Sequence, residues 1–184
     1  GKSMNYGIDY VFLDRLKKYF NITPLKARRI KSNKGLVKID NTKPYRNNCV
    51  IGDRPTEVIY VMMDYFVNVG SVVKCKSIRH KVKKELLKIR LFDGLFRSSD
   101  NIQRNILVGF NNELMSIDEG DIYGKRTKIF NKHDWDKDNI EMDMLDEILE
   151  EWDLKNKIEL VKEKMKRYRL GSHIHEMETR FSNY

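Results

Sequence analysis

Apolar side chains recur every three or four residues between residues 7 and 20, which is the spacing of an amphipathic helix. Asn21, which follows this stretch, can adopt a left-handed turn, Thr23 is a good N-cap, and Pro24 suits the first turn of a helix. We therefore predict a second, short helix from Pro24 to the residue before Gly35, joined to the first helix by a tight turn.

Four further stretches carry a helical pattern. Residues 55–69 are apolar nearly all round, which predicts a buried central helix, and residues 82–93 are predicted to form an amphipathic helix. Residues 140–170 predict a long helix with a break near Leu154. A glycine follows each of these three stretches and is expected to end the helix. A short last helix is predicted over residues 173–181.

Two stretches lack the helical period and are rich in turn-forming residues. Residues 35–55 predict a loop with one or two short strands near residues 37–39 and 49–51. Alternation and glycines within residues 101–130 predict a small hairpin. The whole pattern predicts a mainly α fold with a small β component, an α+β fold in which a compact helical domain is followed by a hairpin and a long C-terminal helix.

Charge is distributed unevenly along the 184 residues, whose formal net charge is +9. Residues 1–99 hold 22 Lys and Arg against 8 Asp and Glu, whereas residues 100–154 hold 6 against 15. This predicts a basic, mainly helical domain over residues 4–98 and an acidic hairpin and long-helix region over residues 99–184 packed on it, with a single common domain as the alternative. The basic half favours nucleic acid or an acidic protein surface as a partner; the acidic block favours an internal counter-surface or a docking patch, and solvated faces are the alternative for both.

The segment "LKKYFNITPLKARRIKSNKG" is similar to the turn region of helix-turn-helix DNA-binding proteins. In that family a turn residue, an apolar residue and a Ser/Thr cap precede a second helix, which enters the major groove. The resemblance implies that Leu25 and Ile30 pack inward while the basic side chains face DNA. The chain departs from the family at Lys17, where a small residue normally lets the two helices cross closely. An ordinary basic helical hairpin is the alternative interpretation.

A second basic run, "KCKSIRHKVKKELLKIR", covers residues 74–90 and offers several phosphate contacts if its side chains share a face. A solvated amphipathic helix, whose lysines keep their charged ends in water, explains the run equally well. Across both segments, the predicted nucleic-acid-binding residues are Lys26, Arg28, Arg29, Lys31, Lys34, Lys81 and Lys84.

Several motifs of known catalytic or metal-binding chemistry are present only in part. No Glu is followed two residues later by Lys, as in metal-dependent restriction nucleases. Asp134, Asp136 and Asp138 have the spacing of a calcium loop, but Asn139 and Leu145 stand where that loop needs glycine and glutamate. The stretch "HIHE" would need metal ligands from elsewhere, and no Gly-rich phosphate-binding loop is found. These observations predict a non-enzymatic protein without catalytic residues, metal site or cofactor.

Composition and the acidic stretch favour a protein partner. Lys, Asn and Ile are abundant and alanine occurs once, a usage that resembles that of small phage-encoded regulators of host transcription. The resemblance implies a partner in the host transcription or replication machinery, such as RNA polymerase or its sigma factor, and a location in the host cytoplasm. Acidic side chains around an aromatic anchor would steer and hold a basic partner. The predicted partner-binding residues are Glu147, Glu150, Glu151 and Trp152.

Direct binding of DNA or RNA through the basic N-terminal half is the alternative function. A membrane is not expected to be a partner, because no apolar run approaches the roughly 20 residues that a membrane-spanning helix needs.

Overall fold

A computed structural model of the chain describes residues 7–39, 42, 49–75, 82–97, 105–117, 122–123 and 142–184. The described helices are α1 (Ile8–Lys17), α2 (Lys83–Phe96), α3 (Met142–Trp152), α4 (Leu154–Arg167) and α5 (Ile174–Ser182). The described strands are β1 (Arg28–Ile39), β2 (Cys49–Met62), β3 (Gly70–Ser71), β4 (Ile106–Val108) and β5 (Leu114–Ser116). The fold is mainly α with a small β component, as the sequence predicts.

Aromatic side chains form the centre of the core that unites the first three helices. Phe20, in a short 3-10 turn directly after α1, lies 5.0 Å from Trp152 and 5.6 Å from both Phe92 and Phe96, measured between ring centroids. These edge-on pairs are the favoured geometry for aromatic rings, each adding about 0.5–1.5 kcal/mol beyond burial. The predicted amphipathic helices α1, α2 and α3 thus bury their apolar sides against one another.

The break between α3 and α4 lies one residue before the predicted position. Asp153 adopts a left-handed conformation with φ 48°, which ends α3 and lets α4 start in a new direction. Val161 and Met165 continue the buried side along α4. The helix ends at Arg167, earlier than predicted, and the short last helix is confirmed as α5.

A long two-stranded antiparallel ribbon takes the place of two predicted helices, those over residues 24–34 and 55–69. β1 pairs with β2 from Arg28 opposite Met62 to Ile39 opposite Cys49, with two register shifts in between. At about 3.3 Å per residue, this pairing extends over roughly 40 Å.

The second helix of the predicted helix-turn-helix does not form, because tertiary contacts hold residues 22–27 in a non-helical path. The buried carboxylate of Asp14 accepts hydrogen bonds from the backbone N–H groups of Leu25 at 2.7 Å and Ala27 at 2.8 Å. Lys26 between them is left-handed, with φ 55°, which is incompatible with a continuing α-helix. The left-handed conformation predicted for Asn21 is confirmed.

The predicted buried central helix over residues 55–69 is also wrong. β2 runs to Met62, and the chain then continues without regular secondary structure to residue 68. Tyr60 and Met62 are about half exposed, so this apolar stretch is not the centre of the core. An apolar run of this length fits a strand as well as a buried helix, and its β-branched residues favour the strand.

The predicted hairpin within residues 101–130 is confirmed as β4 and β5, to which β3 adds a third strand. α2 packs against β5 and continues past Gly94, where the sequence predicts its end. Leu95 and Phe96 are fully buried, and this burial offsets the modest cost of a glycine inside a helix.

Candidate functional site

The candidate site lies at the open end of the β4–β5 hairpin. Asn105 immediately precedes β4 and Ile117 immediately follows β5, and the Ile117 N–H donates a hydrogen bond of 2.8 Å to the Asn105 carbonyl. Ile106 pairs with Ser116 next to them, and both of these side chains are buried. The hydrogen bond and the buried pair next to it therefore hold the backbone at this end of the hairpin in place.

A second pairing holds the chain close by in sequence. Arg97, directly after α2, forms an isolated antiparallel bridge with Ile122. The chain segment 98–104 connects Arg97 to Asn105, and the segment 118–121 connects Ile117 to Ile122. Asn105 is hydrogen-bonded to Ile117, and Arg97 forms a β-bridge with Ile122. The residues that flank the first segment are therefore each paired with a residue that flanks the second.

Arg180 of α5 stabilises the pairing between Arg97 and Ile122. Its guanidinium is buried and donates hydrogen bonds to the carbonyls of Arg97 at 2.7 Å and Gly94 at 3.2 Å, and to the Glu176 carboxylate at 3.0 Å. The same group lies 4.6 Å from the ring centroid of Tyr123, a cation–π contact. The C-terminal helix thus fixes the end of α2 and residues 122–123 together.

The half-buried Tyr123 and a buried ion pair complete this support. The Tyr123 hydroxyl donates a hydrogen bond of 2.8 Å to the Leu95 carbonyl, and burial raises the pKa of this phenol well above its usual value. Arg97 and Asp93 form an ion pair of 3.4 Å in which both side chains are buried. Removing one partner of a buried ion pair is costly, because it leaves the other charge buried, so the pair helps to hold Arg97 at the start of the first segment.

Residues 98–105 and 118–120 carry a sequence signature that differs from the nuclease, calcium-loop and Gly-rich-loop motifs. The first contains Asp100, five residues before Asn105, and the second contains Asp118, two residues before Gly120. Asp100 and Asp118 themselves lie outside the described residues. An Asp-x4-Asn stretch before a hairpin, followed by Asp-x-Gly after it, has the order of the catalytic and metal-binding loops of protein kinases. The spacing of these residues can be seen in the sequence, and a comparison with the kinase motifs would have found it.

The residues predicted to bind nucleic acid lie mostly on or beside the base of the ribbon rather than on a helix. Lys26, Arg28 and Lys31 are exposed, and Arg29 is half-buried. Arg28 forms an ion pair of 3.6 Å with Asp64. Lys34 lies in β1, and its side chain is outside the described part, as is the whole of Lys81.

Lys84, the last of that predicted set, faces α3 of the same molecule. Its ammonium lies 2.7 Å from the Glu147 carboxylate and 3.6 Å from that of Glu151. The hydrogen bond with Glu147 raises the pKa of Lys84 above its usual value. Its charge is therefore compensated internally.

The residues predicted to bind a partner protein have three different environments. Glu151 accepts a hydrogen bond of 2.8 Å from the Asn21 side chain, which lowers the pKa of its carboxyl, and it also faces Lys88 at 3.5 Å. Glu147 pairs with Lys84, whereas Glu150 has no ion pair or hydrogen bond with any residue that the structure describes. Part of the acidic block is thus the internal counter-surface for α2.

Trp152 does not have the position expected of an aromatic anchor for a partner. Its side chain is 1% exposed and packs against Phe20 in the core. The helical spacing predicted its apolar side correctly, but that side is covered by Phe20 and by α2 of the same chain. Trp152 is therefore a core residue.

Comparisons with family models, curated proteins and solved structures find no match for this chain. Within the described ranges, no group of three or more His, Cys, Asp or Glu side chains is placed to hold a metal ion. None of the described helices combines the length and apolar content needed to cross a bilayer.

Proposed function

We propose that the chain carries the metal-holding half of a phosphotransferase site of the kind used by protein kinases. In those enzymes the Asp of the catalytic loop accepts the proton of the substrate hydroxyl, and the loop Asn and the Asp of the Asp-x-Gly motif hold Mg²⁺. Asp100, Asn105 and Asp118 supply these residue types in the same order.

The observation that carries this proposal is the pairing of the described residues that flank the two segments. Asn105 and Ile117 are joined by a backbone hydrogen bond, and Asp118 is the next residue after Ile117 in the chain. The bridge between Arg97 and Ile122 joins the other ends of the two segments. A hairpin that separates the two metal-binding positions supports the proposal more strongly than the spacing alone.

The residue chemistry suits magnesium. Carboxylate and amide oxygens are hard ligands, and Mg²⁺ is usually held by one or two carboxylates together with substrate phosphates. The chain departs from the kinase signature at Ser98 and Ser99, which stand where His and Arg precede the catalytic Asp, and at Glu119, which replaces Phe. The sequence contains no G-x-G-x-x-G loop, so the proposal is confined to the catalytic and metal-binding loops.

Binding of a nucleotide tests the metal-holding residues. We expect ATP to bind the purified protein in a magnesium-dependent way in isothermal titration calorimetry. Asp118→Asn and Asn105→Ala should each weaken this binding at least about tenfold, since even outer-sphere changes at metal sites have effects of that size. Asp134→Asn and Asp136→Asn each remove the same charge as Asp118→Asn from another acidic stretch of the sequence and serve as matched controls. Equal losses in the controls, or binding that ignores magnesium, would count against the proposal.

Phosphoryl transfer tests the role of Asp100 separately. Radiolabelled ATP and magnesium should label either the protein itself or an added protein substrate. Asp100→Asn should remove most of this labelling while leaving the Kd for magnesium–ATP within about twofold, because the proposed base acts on the hydroxyl and not on the metal. Labelling that survives in Asp100→Asn, with ATP binding intact, would contradict the assignment of the base.

A second candidate function, nucleic-acid binding, is favoured by the ribbon. Residues 28–62 hold eight Lys and Arg against three Asp and Glu, and exposed Ile51 and Tyr60 add apolar contact area. A two-stranded ribbon fits the major groove of B-DNA, and some repressors read DNA in this way. In this candidate function, the predicted basic residues would contact nucleic acid from a strand and not from a helix. A partner in the host transcription machinery stays a prediction.

The salt dependence of duplex binding tests the ribbon. Replacing Arg28, Arg29 and Lys31 by Ala should weaken binding and reduce the slope of log K against log salt by about 0.9 for each lost phosphate contact. Replacing Lys155, Lys166 and Arg167 on α4 by Ala removes the same number of positive charges and is the matched control. A slope that changes equally in both variants would remove the ribbon as the interface.

A further inference from the structure

A groove with an apolar floor lies where α3, α4 and α5 meet, and its lining includes no residue of the β4–β5 hairpin. Its volume is about 980 Å³, at the upper end of the usual range for ligand pockets. Leu149 closes it from α3, Leu154 and Ile158 from α4, and Phe181 from α5. The left-handed residue Asp153, which separates α3 from α4, itself lines the groove.

The floor of this groove is apolar but not fully covered. Leu154 and Phe181 are buried in the core, whereas Leu149, Ile158 and Tyr184 are only half-buried and line the open part. Side chains of this type gain about 25 cal/mol for each Å² of apolar surface removed from water. The groove therefore offers two or three apolar contacts to an occupant.

The rim of the groove is acidic, in contrast to the net charge of the whole chain. Glu150, Asp153 and Glu178 stand at the rim, and Lys155 is the one ammonium among the lining residues. Glu178 is neutralised in part by Lys162 at 3.3 Å. Glu150 has no partner among the described residues, unlike the neighbouring α3 carboxylates that pair with α2. The rim thus carries three carboxylates, of which Glu178 is paired within the protein, against one lysine, and this negative balance favours a cationic occupant.

We propose that this groove binds a basic, amphipathic segment of a partner protein. Its apolar side chains would occupy the floor at Leu149 and Ile158, and its Lys or Arg side chains would face Glu150, Asp153 and Glu178. Docking of an amphipathic helix into an apolar groove is a recurrent mode of peptide recognition. This interface uses Glu150 of the acidic block but neither Trp152, which is in the core, nor the carboxylates committed to α2.

Three labelled 14-residue peptides test the proposal by fluorescence anisotropy on the full chain. The first carries Leu at helical spacing on a Lys background, the second carries Glu in place of Lys, and the third carries Ser in place of Leu. We expect only the first to bind well, with an affinity that falls as salt screens the rim. Equal binding of the second or the third peptide would overturn the proposal, because the occupant would then need no positive charge or no apolar anchor.

Substitutions locate the binding. Glu150→Gln with Asp153→Asn should raise the Kd of the Lys–Leu peptide about three- to tenfold, the effect expected for two partly exposed ion pairs. Ile158→Ser should raise it by a similar factor, with an unchanged circular dichroism spectrum as evidence of folding. Glu163→Gln, a charge loss on α4 outside the groove lining, should leave the Kd unchanged.

Two results would refute the groove as the docking site. If the charge variant weakens binding but Ile158→Ser does not, the peptide contacts only an acidic surface. If analytical ultracentrifugation shows a dimer that Glu150→Gln with Asp153→Asn dissociates, the occupant is a second copy of this chain and not a different protein.

Discussion

Glu151→Gln should destabilise the fold more than the same change at either neighbouring acidic position of the predicted docking face. Its carboxylate accepts a hydrogen bond from Asn21 at 2.8 Å and lies 3.5 Å from the Lys88 ammonium and 3.6 Å from that of Lys84. Glutamine keeps the shape and can still accept from Asn21, so the substitution isolates the loss of charge. The change removes one of the two α3 carboxylates, with that of Glu147, that pair with lysines of α2.

The expected loss lies between two limits. Exposed ion pairs contribute about 0.2–1 kcal/mol, whereas breaking a fully buried pair costs about 3–5 kcal/mol. The Lys88 side chain is only 7% exposed, so losing Glu151 costs more than an exposed pair would. Lys88 keeps Glu85 at 3.5 Å as a second partner, which keeps the loss below the buried limit. We expect about 1–2 kcal/mol, or a fall in Tm of about 2–8 °C for a chain of this size.

Urea denaturation of three single variants measures this expectation. Glu147→Gln loses one exposed pair with Lys84 and should cost about 0.2–1 kcal/mol. Glu150→Gln loses no described contact and should stay within about 0.5 kcal/mol of the wild type. The order of loss is therefore Glu151, then Glu147, then Glu150. Equal, near-zero effects for all three would refute the reasoning and make this helix face a solvated surface with no structural task.

Three other perturbations have defined outcomes. Trp152→Ala should cost about 3–5 kcal/mol in urea denaturation, because it empties a core position. Gly7→Ala should cost about 1–3 kcal/mol by the same measurement, since Gly7 has φ +74° and an added methyl group would meet Val61. The hydrogen bond from Asn21 lowers the pKa of Glu151 in the fold, so its stabilisation is present above the unfolded value near 4.3 and is lost as pH falls through the folded pKa. The stability difference between wild type and Glu151→Gln, measured from pH 7 to pH 3, should therefore shrink with acidification.

The helical parts of the fold are predictable because their apolar spacing is regular. Residues of α3 and α4 repeat with a period that only a helix satisfies, and the break near Leu154 is visible as a change in that pattern. The ribbon could not be predicted from such spacing. Asp14, eleven residues before Leu25 in the chain, fixes the path of the following segment through two backbone hydrogen bonds, and local propensity at Thr23 and Pro24 cannot reveal that contact.

The environments of charged residues were the hardest part of the site to predict. The sequence indicates that Glu147, Glu150 and Glu151 lie on one acidic helix, but it does not indicate which of them face the basic helix α2. That depends on how two helices, some 60 residues apart in the chain, are packed. The Asp-x4-Asn and Asp-x-Gly spacings around Asn105, in contrast, can be read directly from the sequence, although the pairing that connects their ends cannot.

The position of Arg180 also has a consequence for the order of assembly. Its hydrogen bonds reach back 83 and 86 residues, to Arg97 and Gly94. During synthesis, the segments around the hairpin leave the ribosome long before this arginine does. Contacts with such large sequence separation form late and slow the folding of a domain. The pairing between Arg97 and Ile122 therefore stays incompletely anchored until α5 has been made and docked, and a nascent chain stalled before residue 180 should remain open to protease at this pairing.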